Sequence, residues 1–183
     1  MLNTNISGKK IAMVIAFRDF RDAEYFIPAD ILSFYGGEII NVSTQKGTAI
    51  GADGGDVEVQ LSSQEFRAED FDALVFVGGP GMAKNLENQE FHRMAQAASA
   101  AGKVMGAICI SPVLLAKAGV LSGRKATVWS GPMDKSPIKM LKEAGAVYLK
   151  ESVVVDNNTI TANGPVAAKE FGEALAKKLD NGL

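Results

Sequence analysis

The feature that most constrains this chain is the run Lys103-Val-Met-Gly-Ala-Ile-Cys109-Ile-Ser-Pro-Val-Leu-Leu-Ala-Lys-Ala118. Residues 104–108 form a short apolar stretch of the kind that becomes a buried strand. Residues 112–118 continue as an apolar helix, with Pro112 in the first turn, where a missing N–H costs nothing. Between the two lies Cys109, the only cysteine in the chain. A strand that turns at once into a helix around one reactive side chain is a nucleophile elbow. The turn is tight, so the residues two before and two after must be small, and here they are Ala107 and Ser111. An elbow holds its side chain out at the C-terminal edge of a sheet, with the following backbone N–H groups aimed at the same point. A thiol there meets the partial positive charge of a helix N-terminus, which favours thiolate. A lone cysteine elsewhere is often a small buried hydrophobe, but the strand–Cys–helix context favours the reactive reading.

The rest of the chain alternates apolar strands with helices. Residues 1–8 read as a frayed end. Residues 10–17 read as a continuous apolar strand suited to a parallel sheet covered on both faces. A polar turn at 18–22 precedes a helix over 23–35, capped by Asp22 and interrupted by Pro28, with Gly36-Gly37 as its stop. Further strands are expected at 38–43, 73–77, 125–129, 146–148 and 153–161, the last folded back at Asn157-Asn158. A short β excursion surrounds Gly51-Ala-Asp-Gly-Gly55. Helices are expected at 89–101, 137–144 and 165–179, the last opened by Pro165. Solid apolar strands alternating with helices indicate an α/β sandwich with a mostly parallel central sheet. In such sheets the ligand site lies beyond the C-terminal strand ends. The 18–22 turn, Gly78–Gly81 and Cys109 all fall on that edge.

Composition removes several classes of function. The chain of 183 residues suits one domain, 1–183, with a substantial core. A net charge of −2 gives no encouragement to nucleic-acid or membrane-surface binding. One cysteine excludes an internal disulfide and a multi-cysteine metal site. No apolar run approaches the ~20 residues that span a bilayer, and the N-terminus lacks the apolar core of a signal peptide. The expectation is a cytoplasmic protein in a reducing compartment. Gly78-Gly-Pro-Gly81 lacks the third glycine and acidic ribose partner of a dinucleotide fingerprint, and no metal or organic cofactor is expected.

Three motifs together resemble the ThiJ/PfpI family. They are Asp22-Ala-Glu24-Tyr-Phe-Ile-Pro28, Phe71-Asp-Ala-Leu-Val-Phe-Val-Gly-Gly79-Pro-Gly81, and Ala107-Ile-Cys109-Ile-Ser-Pro112 with the leucine-rich stretch that follows it. The resemblance implies a flavodoxin-like three-layer sandwich with Cys109 as nucleophile. It implies Glu24 as the acidic partner whose carboxyl contacts the sulfur, and Gly79 and Ile110 as the backbone donors of an oxyanion hole. A carboxyl held protonated by burial can donate to a thiolate and shuttle a proton once sulfur adds to a carbonyl. Two backbone donors would stabilise the oxyanion. Taken alone, Glu24 could equally be a solvated residue at a helix start, and Gly78-Gly79 a plain turn. Trp129, Tyr25, Ser130 and Arg18 are candidates to line the pocket. The resemblance also implies a homodimer or larger homo-oligomer.

The departures from the family pattern are informative. Many members with hydrolase-like activity carry a histidine directly after the cysteine, where this chain has Ile110. Others carry one after the next strand, where this chain has Trp129. The one histidine, His92, lies on the helix before the elbow and reads as structural. A Cys–His pair is therefore not expected, which disfavours a PfpI-like intracellular peptidase. Two readings of different class remain. One is a glyoxalase III or deglycase-like enzyme acting on small reactive carbonyls through Cys109 and Glu24. The other is a redox-responsive or holdase-like stress protein whose Cys109 is oxidised.

Overall fold

The computed structural model describes residues 4–180. Its strands are β1 (Lys10–Val14), β2 (Arg18–Phe20), β3 (Glu38–Ser43), β4 (Gly47–Gly51), β5 (Asp56–Val59), β6 (Leu61–Ser62), β7 (Ala73–Phe76), β8 (Val104–Ile108), β9 (Lys125–Ala126), β10 (Val147–Tyr148), β11 (Val153–Asp156) and β12 (Thr159–Ala162). Its helices are α1 (Asp22–Phe34), α2 (Pro80–Ala83), α3 (Gln89–Ala100), α4 (Ser111–Lys117), α5 (Ser136–Glu143) and α6 (Ala168–Asp180). The central sheet runs β11-β12-β8-β7-β1-β3-β6 and is parallel except for β11.

The solid apolar strands have a direct cause. Successive side chains point to opposite faces, and both faces are covered. Along β1, Ala12 and Val14 join one core, while Ile11 and Met13 join the other. Along β7, Leu74 and Phe76 face the first, and Ala73 and Val75 the second. Helices α3, α4 and α5 close the first core with Phe91, Met94, Leu115 and Leu141. Helices α1 and α6 close the second with Leu32, Phe171 and Leu175. This is the three-layer α/β sandwich with a mostly parallel sheet that the alternating pattern predicts. No described helix is long and apolar enough to cross a membrane.

Several boundaries differ from expectation. The first strand stops at Val14, because the chain then leaves the sheet and Arg18–Phe20 pairs with β4 in a small side sheet. The expected strand at 125–129 keeps only Lys125–Ala126. Its remainder is drawn off the ladder: Thr127 N–H donates to Thr161 Oγ1 (3.0 Å) and Trp129 N–H to Cys109 C=O (2.9 Å). Helix α1 runs unbroken past Pro28, and Asp22 does not cap it. Instead the Asp22 carboxylate accepts from the N–H groups of Asp53 (2.9 Å) and Gly55 (2.6 Å), tying the β4–β5 loop to the start of α1. Residues 165–167 form a separate 3-10 turn ahead of α6. Of the expected frayed end, residues 1–3 lie outside the described residues, while Ile6 is buried and its N–H donates to Tyr35 C=O (2.9 Å).

Candidate functional site

The elbow forms as its sequence predicts. Cys109 follows β8 directly and sits at φ +64°, a left-handed conformation that costs an L-residue with a side chain about 1–2 kcal/mol. Three bonds hold it there. Cys109 N–H donates to Ala162 C=O (2.9 Å), and Cys109 C=O accepts from Trp129 N–H. Buried Ser111, at the small position after the turn, donates its hydroxyl to Val77 C=O (2.9 Å). The half-buried sulfur therefore stands at the C-terminal edge of the sheet between β12 and β7.

The neighbouring turn, Gly78-Gly79 after β7, supplies room. A Cβ on Gly78 would lie 2.6 Å from Cys109 Cβ and would collide with Glu24 Oε2. The bare Cα thus lets the cysteine and the glutamate approach the same point from two sides. Gly79 takes φ +112° and packs against the turn leading into α1, where a Cβ would meet Asp19 C=O at 2.8 Å. Arg21 N–H donates to Gly78 C=O (3.0 Å), which sets the start of α1 against the elbow.

Glu24, in the first turn of α1, is fully buried, and among the described residues neither carboxyl oxygen has an aligned hydrogen-bond partner. Such a group strongly favours its neutral form. Burial raises the Glu24 carboxyl to about 7, against smaller opposing effects of the Cys109 thiol, Arg21 and the Gly78 N–H. The thiol and that N–H are thus near enough to be felt electrostatically, though neither is aligned as a hydrogen bond. Burial, followed by the charge of Glu24, pushes the Cys109 thiol up to about 12, while the N–H groups of Ile110 and Gly79 work to lower it. The thiolate expected from the helix terminus is overridden, because desolvation outweighs two backbone dipoles. Between about 7 and about 12 the pair shares a single proton.

Cys109, Glu24, Gly79, Ile110 and Trp129 all line one cavity of about 590 Å³. Three other expected pocket residues do not. Tyr25 follows Glu24 on the helix and so points elsewhere; its ring enters the core and its hydroxyl donates to Asn41 Oδ1 (2.8 Å). Arg18 lies over the Phe17 ring, 5.4 Å from its centroid. Ser130 lines an adjoining groove. The cavity also holds Arg21, Asp53 and Asp134, which the sequence reading missed. Arg21 immediately precedes α1 with an extended backbone and reaches both Asp53 carboxylate oxygens at 3.4 Å. Asp53 arrives from the β4–β5 loop, so no local pattern announces it. His92 is buried on α3 with Nε2 2.7 Å from Leu86 C=O, a structural contact outside the cavity. Among the described residues no three His, Cys, Asp or Glu side chains cluster as a metal site.

Comparison with known proteins agrees with this architecture. The chain is 40% identical over 177 residues to an uncharacterized protein of Methanocaldococcus jannaschii, covering 96% of this chain and 85% of that one. It is 32% identical over 153 residues to deglycase PfpI of Pyrococcus furiosus, covering 84% and 89%. The crystal structure of a ThiJ/PfpI domain protein from Brachyspira murdochii superimposes with a TM-score of 0.90 at 31% identity, covering 95% and 99%. Residues 9–178 match the DJ-1/PfpI family, and with the parallel sandwich and its elbow this establishes that the chain belongs to it.

Proposed function

We propose that the protein converts small 2-oxoaldehydes such as methylglyoxal, free or as reversible adducts, into 2-hydroxy acids, with Cys109 as nucleophile and Glu24 as proton carrier. The observation that carries this reading is the buried Glu24 carboxyl, without an aligned partner among the described residues, set against the elbow cysteine. The deglycase name of a relative supports the same class of substrate.

The pair supplies each step. With one shared proton, the carboxylate takes the thiol proton as sulfur bonds to the aldehyde carbon. The aldehyde oxygen becomes an oxyanion facing the N–H groups of Gly79 and Ile110, then accepts the proton to give a hemithioacetal. Glu24, again ionised, removes the hydrogen on that carbon as a proton, leaving an enediolate. The hydroxyl proton passes to the neighbouring oxygen, the first oxygen becomes the thioester carbonyl, and Glu24 returns its proton to the neighbouring carbon. The product is a thioester of the 2-hydroxy acid. Water then cleaves the C–S bond, releasing acid and restoring the thiol. The sum is aldehyde plus water to hydroxy acid, with no net oxidation.

The peptidase reading gains nothing from the geometry, since His92 is engaged elsewhere. The redox-sensor reading is weakened because the thiolate, the oxidisable form, is suppressed by burial. Purified protein is expected to consume methylglyoxal and form lactate, with activity rising through pH about 7 as the pair loses its first proton. Cys109→Ala should abolish turnover, and Glu24→Gln should lower it by roughly 10²–10⁴. Wild-type turnover no faster than that of a free thiol would overturn the assignment.

A further inference from the structure

The cavity around Cys109 does not end at its far wall. Trp129 and Pro165, which line it, also line a second groove of about 800 Å³. The first space already suits a ligand of drug-like size, and methylglyoxal fills little of it.

Trp129 stands at the boundary between the two spaces. Its backbone is fixed to the elbow through the N–H bond to Cys109 C=O. The residue nevertheless remains 37% exposed, unusual for one anchored so close to the core. Gly131 and Gly164 lie against opposite ends of the ring, where added Cβ atoms would come within 3.4 and 3.6 Å. Neither glycine has a side chain to cover the indole, which stays partly open. Beside it the groove adds Tyr148, exposed Val166, Lys150 and Glu170. A flat, partly exposed indole beside a proline and a tyrosine is a surface for a planar apolar group.

We propose that the groove is a second subsite, and that the preferred substrates are 2-oxoaldehydes bearing a flat apolar substituent that stacks on Trp129 while the aldehyde reaches Cys109. Trp129 thereby sets specificity. The inference rests on the carbonyl chemistry proposed above for its kinetic half only; binding in the groove can be read without turnover.

Trp129 is the sole tryptophan of the chain, so emission excited at the red edge, where the three tyrosines do not absorb, reports this position alone. Titration of the wild-type protein with mandelamide, a neutral unreactive aryl analogue, should shift or quench that emission saturably. Lactamide, its methyl counterpart, should do so at least tenfold more weakly. In kinetics, Trp129→Ala should lower kcat/KM for phenylglyoxal at least tenfold more than for methylglyoxal, and Trp129→Phe should restore the preference. A purely structural role would lower both substrates together. Emission indifferent to mandelamide, or an unchanged substrate ratio in Trp129→Ala, overturns the subsite. Absence of Cys109-dependent turnover with a positive titration instead removes the proposed chemistry and leaves the subsite standing.

Discussion

Two strand-to-helix turns stand side by side on the C-terminal edge of the sheet, β7 to α2 and β8 to α4. Both place a proline in the first turn of the helix and both contain a residue at positive φ. In the first that residue is Gly79, for which the conformation carries no steric penalty. In the second it is Cys109, for which it costs about 1–2 kcal/mol. The difference shows what each turn is for. The glycine turn lets other groups approach: Gly78 admits Glu24 Oε2 and Cys109 Cβ, and Gly79 admits the entry to α1. The cysteine turn accepts strain in order to project a side chain into the space thus made. Ser111 ties the second turn to Val77 C=O just past the end of β7, next to the first.

The comparison breaks most sharply at Gly78. A methyl group there meets Cys109 Cβ at 2.6 Å and Ile108 C=O at 2.9 Å, and collides with Glu24. Gly78→Ala should lower turnover a hundredfold or more and, as an overpacked site, cost about 1–3 kcal/mol in urea unfolding. Retained activity would mean that the glycine turn does not set the sulfur–carboxyl approach.

The next effect concerns stability against pH. The folded state holds the Glu24 carboxyl at about 7, above its ordinary 4.5. Folding therefore favours the protonated form. Its stability is fully present below about 4.5 and falls as pH rises through about 7, by roughly 3 kcal/mol for this group. Glu24→Gln, which cannot ionise, should be more stable than wild type by about that amount at pH 8, and the gap should close near pH 4. Equal stabilities at pH 8 in chemical denaturation would show the carboxylate to be better solvated than its burial indicates.

The smallest effect is the strain itself. Cys109→Gly should exceed Cys109→Ala in stability by about 1 kcal/mol, since both lose the thiol and only glycine relieves the positive φ. An alanine variant as stable as the glycine variant would show that the elbow backbone is not strained.

Local pattern carried much of the fold. The strand at 104–108, the elbow, the strand at 38–43 and the parallel sandwich were legible because apolar periodicity, proline at a helix start and glycine at a stop are properties of neighbours along the chain. The 125–129 strand was misread because its N–H groups go to partners remote in sequence, Thr161 and Cys109. The site was legible in part. The spacing identifies Cys109 as an elbow residue, whereas Glu24 was recognisable only through family resemblance. Tyr25 was misplaced because a sequence does not say which helix face is turned inward, and Asp53 was invisible because a loop delivers it.

The sequence by itself determined that strands and helices alternate and that a cysteine occupies the tight turn between two of them. Tertiary structure alone decided that a carboxyl and a thiol distant along the chain meet against one bare glycine. It also decided that their protons are held more tightly than in water, not less. The physical reason is that periodicity is set between adjacent residues, while desolvation belongs to the finished packing.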